Sequence, residues 1–194
     1  MKKLGVALAT LLVLTLVIGS VSCGGEQTTP TPTLPPKIGD EVLSNSVRAK
    51  VVSIKEVGTI ANWEGEKIAG DNFTFLVIRI LLENLAETSN QLAFGGNNSI
   101  VKDVQGQKYL LQDIGFILND SEHYVFCFTP GLKGEKITPA DESWILTADF
   151  MENIWTLEMT ANSDAEILLV YKVATYSSGL HLTLLDFPTL RLEE

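Results

Sequence analysis

Few side chains in this sequence can do chemistry: there are two cysteines and two histidines among 194 residues. Cys127 lies in Phe126-Cys-Phe128. It reads as a small buried hydrophobe, because a reactive thiol needs an exposed, positive setting. His123 and Cys127 stand four positions apart, which on a strand puts them on one face but about 13 Å apart, too far for proton transfer. His181 falls in Leu180-His-Leu-Thr-Leu184, whose alternation turns it toward solvent. Asp120, Glu122, Glu135, Asp141 and Glu142 form an acidic stretch. Carboxylates suit a hard cation such as Ca²⁺, but this spacing matches no calcium loop, and a solvated rim is the plainer reading. HExxH, GxSxG and a phosphate-binding glycine loop are absent from the sequence. The residues therefore name no catalytic group, no metal ligand and no cofactor, and the expectation is a protein that is not an enzyme.

Two places suit recognition rather than reaction. Gly95-Gly96-Asn97-Asn98 reads as a loop, and loops at the ends of a sandwich often carry contacts. Trp63 sits between polar segments in Asn62-Trp-Glu-Gly65. An exposed Trp anchors a partner or a sugar, while packing beneath a loop is the blander alternative. Trp144 and Trp155 read as core. Asn72-Phe-Thr74, Asn97-Asn-Ser99 and Asn119-Asp-Ser121 match the glycosylation pattern and read as chance matches.

The amino terminus is organised as an address. Met1-Lys2-Lys3 is positive, and Leu4 to Ile18 follows without a charged residue. Small residues then lead to Cys23, in the order of an export signal. Val21-Ser22-Cys23 resembles the lipobox of bacterial lipoproteins, with Ser20 where Leu is usual. The resemblance implies cleavage after residue 22 and a diacylglyceryl thioether on Cys23, with a palmitate-type chain on its amine. Two or three acyl chains hold a protein at the bilayer where one does not. Plain secretion, or an uncleaved membrane anchor, are the alternatives. Gly24 to Pro36, GGEQTTPTPTLPP, has four Pro and four Thr and reads as a tether. It lacks the apolar residues of a core, and 13 residues of polyproline-like chain reach about 40 Å.

Charge narrows the partners. The chain carries a formal −10; two of its 14 basic residues, Lys2 and Lys3, lie in the leader, so 12 face 24 acidic ones after cleavage, a balance of −12. That disfavours nucleic acid. The linear sequence shows no basic cluster beside the anchor, so no electrostatic lipid binding is expected, and the acyl chains alone should hold the bilayer.

The remainder, residues 37–194, is long enough for one well-buried core. Phe73-Thr-Phe-Leu-Val-Ile-Arg-Ile-Leu-Leu82 is nearly continuous in apolarity, the mark of a strand covered on both faces, and Ile167 to Val173 has the same character. Val47 to Val51 and Leu180 to Leu184 alternate, and Tyr124–Phe128, Trp144–Phe150 and Trp155–Thr160 are further strand candidates. Asp103-Val-Gln-Gly106 reads as a hairpin turn, with Asp opening it and Gly in the left-handed position. Thr129-Pro-Gly131 and Asn162-Ser-Asp164 also read as turns. Pro139-Ala-Asp-Glu142 could open one helical turn. Seven to nine short strands between frequent turns predict an all-β, antiparallel β-sandwich.

Several segments resemble a known family. Lys37-Ile-Gly-Asp40 matches its opening and Phe75 to Asn84 its central strand, which ends in Asn. Ile100 to Tyr109 matches a hairpin with Asp103, Gly106 and Tyr109 in register, and Ser163 to Val173 a closing strand, with Ala174 where Pro is usual. The family is the extracytoplasmic domain of unknown function numbered 4352, an immunoglobulin-like sandwich of bacterial lipoproteins that is similar to a secreted immunoglobulin-like antigen. The resemblance covers most of residues 37–184, departs over 117–149, where an extra hairpin is expected, and supplies no site residue. It implies a lipid-anchored, extracytoplasmic binding or interaction module of the cell envelope, with an envelope protein or polymer as partner. An accessory domain of an envelope enzyme, or a structural envelope protein without a ligand, are the alternatives.

Overall fold

Asn84 ends a twelve-residue strand, Phe73–Asn84, that is paired along both edges. A computed structural model describes residues 34–62, 65–118, 120–125, 136–149 and 154–193. In chain order the strands are β1 (Glu41–Ser44), β2 (Val47–Val57), β3 (Thr59–Asn62), β4 (Gly65–Ile68), β5 (Phe73–Asn84), β6 (Asn90–Gly95), β7 (Ser99–Lys102) and β8 (Lys108–Leu118). They continue as β9 (Ser121–Val125), β10 (Lys136–Ile137), β11 (Trp144–Asp149), β12 (Ile154–Met159), β13 (Asp164–Ala174), β14 (His181–Leu184) and β15 (Leu190–Arg191). That is 15 strands among the described residues, against an expected seven to nine, because short polar pairs such as β3–β4 carry no alternating apolar signal.

A nine-stranded sheet runs β1-β2-β5-β13-β8-β7-β14-β15, with β9 also paired to β8. A four-stranded sheet runs β10-β11-β12-β6, and β3–β4 is a separate hairpin. All strand pairs are antiparallel, and the two larger sheets enclose a common core, so the fold is an all-β sandwich. Ile78, Ile80, Leu82, Ile114, Ile167, Leu169 and Tyr171 of the large sheet face Phe94, Leu146, Trp155, Leu157 and Met159 of the small one. Trp144 and Trp155 are buried there, as their sequence context predicts. Each such side chain withdrawn from water contributes roughly 1.5–3 kcal/mol.

The near-continuous apolarity of β5 and β13 has its cause on the other face. Phe75, Val77, Leu168 and Val170 join Ile60, Ala69 and Tyr124 in a second, smaller core beneath the β3–β4 hairpin and β9. Two bulges set which residues point there. Val52 is extra between β2 and β5, so Val47, Ala49 and Val51 face the main core, and Lys55 and Val57 face outward. Gln112 is extra between β8 and β13, so Leu111 and Ile114 both reach the main core while Asp113 turns to the outer layer.

Two expectations change and a third is met. Residues 139–142 form a turn, not a helical one: Glu142 N donates to Pro139 O at 3.0 Å and Glu142 has φ 53°. The segment ending at Ala174 does not close the sheet, since β13 lies between β5 and β8 and two more strands follow. Over 117–149, β9 folds back on β8 and β10 pairs with β11, so the extra pairing expected there is present twice. Cys23, Trp63, Cys127, Glu135 and the turn at 129–131 lie outside the described residues.

Candidate functional site

The hairpin between β7 and β8 is built around one carboxylate. Asp103 Oδ1 accepts from the backbone N–H groups of Gln105 (3.0 Å) and Gln107 (2.9 Å), and Oδ2 accepts from Tyr109 Oη at 3.2 Å. Gly106 takes φ 83° at the turn, the left-handed position that glycine tolerates. Ser177 Oγ lies 2.5 Å from Tyr109 Oη; with the tyrosine proton given to Asp103, the serine donates.

This network pins a second loop. Val104 N donates to Ser178 O, Thr175 N to Asn72 O and Ser177 N to Ala174 O, at 3.0 to 3.2 Å. Gly179 lets the loops close: a Cβ there would meet Val104 Cγ1 at 2.0 Å. On the loop so held, Tyr176 is 79% exposed. Phe73 is 42% exposed at the start of β5, with Lys172 Nζ 4.7 Å from its ring centroid.

Between these loops lies an open cleft of about 530 Å³, lined by Phe73, Asp103, Gln105, Gln107, Tyr109 and Tyr176. Aromatic faces beside carboxamides can stack on a ligand and hydrogen-bond its hydroxyl or amide groups. The arrangement sets ring faces beside amide donors and acceptors. Its fixed loops lower the ordering cost of complex formation.

A second polar group lies in the outer layer of the large sheet. Glu122 of β9 pairs with Lys55 of β2 and accepts from Tyr124 Oη at 2.7 Å. Burial works to raise the Glu122 carboxyl, but the hydrogen bonds from Lys55 and Tyr124 and the charges of Lys55 and Arg79 outweigh it and leave it below the usual range. Arg79 and Glu166 form a two-pronged pair at 2.5 and 2.7 Å. Asp113, opposite Val170 in the same layer, is fully buried; Oδ1 accepts from Ile114 N at 2.8 Å and Oδ2 has no hydrogen-bond partner. Burial pushes its carboxyl up to about 8, against the pull of the Ile114 amide and the Lys67 charge.

Of the recognition residues read from sequence, Trp63 lies outside the described residues and the 95–98 segment lies apart from the cleft. Gly95, Gly96, Asn97 and Asn98 carry the chain from the small sheet to the large one. Asn98 N donates to Gly95 O at 3.0 Å and Asn98 O accepts from Leu185 N at 2.6 Å. Residues 96–98 are exposed, but they do not line the cleft. Of the described members of the acidic stretch, Glu122 is engaged as above, and Asp141 Oδ1 accepts from Ser143 N at 3.1 Å. No three His, Cys, Asp or Glu side chains gather in a metal-binding group among the described residues. His123 stacks on Phe116 at 5.2 Å, and His181 is half-buried with Nδ1 donating to Gly179 O at 2.8 Å. The spacing of Asp103, Gly106 and Tyr109 is readable in sequence; Ser177 and Tyr176 are brought to it by tertiary pairing alone.

Among solved structures, the chain is similar to an uncharacterized β-sandwich protein from Clostridium difficile 630. The TM-score is 0.48 at 9% identity, over 84% of this chain and 97% of that one. It is also similar to the yjhA protein from Bacillus subtilis, with a TM-score of 0.44 at 11% identity, over 81% of this chain and 99% of the other. No family model and no curated protein sequence matches the chain.

Proposed function

We propose that this chain is a lipid-anchored binding module of the cell envelope, whose sandwich, read as immunoglobulin-like, takes its ligand in the cleft between the β7–β8 hairpin and the 174–180 loop. The observation that carries the reading is Tyr176, a large ring 79% exposed on a loop fixed by its neighbours. It contributes nothing to the core and lines the cleft together with the part-exposed Phe73 ring, which supports an outside contact there. The leader, the lipobox-like Val21-Ser22-Cys23 and the Pro/Thr-rich tether support extracytoplasmic anchoring through Cys23. The resemblance to the family numbered 4352 supports the immunoglobulin-like reading through the Asp103, Gly106 and Tyr109 hairpin and the strand ending at Asn84.

Two experiments test it. Labelled fatty acid should enter the wild-type protein and not Cys23→Ala; equal label in both removes the anchor. A photo-crosslinking residue in place of Tyr176, in the native envelope, should give a discrete adduct that the same residue in place of Leu43, 62% exposed on β1, does not. Identical adduct patterns from both positions remove the cleft.

A further inference from the structure

Strands distant in sequence bring their basic residues into one line. Lys37 pairs with Arg191, Arg191 with His181, His181 with Lys102, and Lys102 with Lys108, each the direct cross-strand partner of the next. Directly opposed residues project from the same face with Cβ atoms about 5 Å apart. At about 4.8 Å between strands the row spans about 19 Å of sheet. The residues that alternate with it, Val101, Tyr109, Leu182 and Leu190, are buried in the main core, so the row is on the outward face. Lys37 and Lys108 are exposed, and Lys102, His181 and Arg191 are half-buried.

Among the described residues, no ion pair engages this line. The ion pairs among the described residues engage Arg48, Lys50, Lys55 and Arg79. Acidic groups near the row are used locally: Asp103 by its hairpin, Asp40 by the backbone N–H of Lys37, and Glu193 by the backbone N–H of Gly179. Arg191 Nε is buried without a hydrogen-bond partner. Like charges set directly opposite one another destabilise a sheet. In a chain with 24 acidic residues, an unpaired basic row therefore calls for an anion from outside. The row also begins where the tether enters: Lys37 follows Pro36, whose carbonyl accepts from Arg191 N at 2.7 Å.

We propose that the Lys37–Arg191–His181–Lys102–Lys108 row is a docking surface for the phosphate headgroups of an anionic membrane. The proposal rests on the reading of Cys23 as a lipid anchor, and it revises the expectation that the acyl chains act alone. The basic cluster is missing from the linear sequence because strand register, not sequence adjacency, assembles it.

The full-length lipoprotein is reconstituted on phosphatidylcholine vesicles and on vesicles that also contain phosphatidylglycerol. Acylation of lysine amines is then read by mass spectrometry. Lys102 and Lys108 should react about fivefold more slowly on the anionic vesicles, a protection lost at high salt, while exposed Lys136 on the small sheet is unchanged. Lys102→Gln with Lys108→Gln should abolish the protection of Lys37. Equal acylation on both vesicles overturns the docking surface while leaving the anchor intact. Equal protection by inorganic phosphate on neutral vesicles assigns the row to a free anion and overturns the lipid assignment. Failure of the wild type to float with neutral vesicles overturns the anchor and the docking surface together.

Discussion

Tyr109 Oη donates to Asp103 Oδ2 at 3.2 Å, joining the two ends of the β7–β8 hairpin across a buried space. Asp103 is 6% exposed and Tyr109 8%. Removing the hydroxyl leaves that carboxylate oxygen without its donor and Ser177 without its acceptor. Tyr109→Phe should lower stability by about 1–3 kcal/mol. Asp103→Ala should cost more, because it also strands the N–H groups of Gln105 and Gln107. Urea denaturation measures both; a Tyr109→Phe midpoint equal to that of the wild type would remove the pair from the account of the hairpin.

Asp113 makes stability fall with rising pH. Its folded carboxyl keeps its proton up to about 8, whereas an unfolded one releases it near the ordinary 3.8. Between those values the native state binds more protons than the unfolded state, so the contribution of Asp113 declines from about pH 4 to about pH 8 and then levels. The penalty above that window is on the order of 5 kcal/mol. Asp113→Asn retains an oxygen for the Ile114 N–H and has no charge to bury. It should come nearest the wild type below about pH 4 and exceed it by a growing margin from there to pH 8. Denaturation midpoints at the two pH values decide this, and parallel pH profiles would sink it.

Asn84 joins three segments at the other end of β5. Its Nδ2 donates to Thr88 O at 2.9 Å and Thr160 O at 2.8 Å, while Oδ1 accepts from Ala86 N at 3.1 Å. Asn84→Asp replaces two donated bonds with a carboxylate facing two carbonyl oxygens in a site 1% exposed. A loss of about 3 kcal/mol is expected. Asn84→Asp should be less stable than Asn84→Ala at neutral pH, because the alanine buries no charge. The reverse order in thermal melts would contradict this account.

The sandwich was legible where one residue's burial decides its neighbour's. His181–Leu184 and Trp144–Asp149 alternate along the chain and alternate in the structure. The unbroken apolarity of β5 correctly implied two covered faces, but not what covers the second. The β3–β4 hairpin that does so contributes Ile60, and Ala69 follows it directly. Residues 139–142 lost their helical reading because Asp141 accepts from Ser143 N and the chain turns at once. Asp113 was hidden for a related reason: its facing depends on a one-residue bulge at Gln112, set by pairing with β13. The cleft and the basic row depend on register between strands far apart in sequence, which local patterns do not encode. Gly95 to Asn98 reads as a recognition loop because its residues favour turns, and a backbone crossing between sheets needs the same residues.

Gly115 separates steric from conformational need. It carries no left-handed φ, yet a Cβ at this position would meet the backbone oxygen of His123 at 2.4 Å and Leu168 Cδ1 at 3.2 Å. The first contact is with β9 and the second with β13, so no single side-chain rotation relieves both. Gly115→Ala should therefore push β9 away from β8 and open the small outer core around Tyr124 and Leu168. A cost of about 1–3 kcal/mol follows from forcing atoms into a packed site. Amide hydrogen exchange should quicken in β9 while β11 and β12, in the other sheet, keep their protection. Uniform protection in the variant would mean that β9 lies farther from β8 than this register allows.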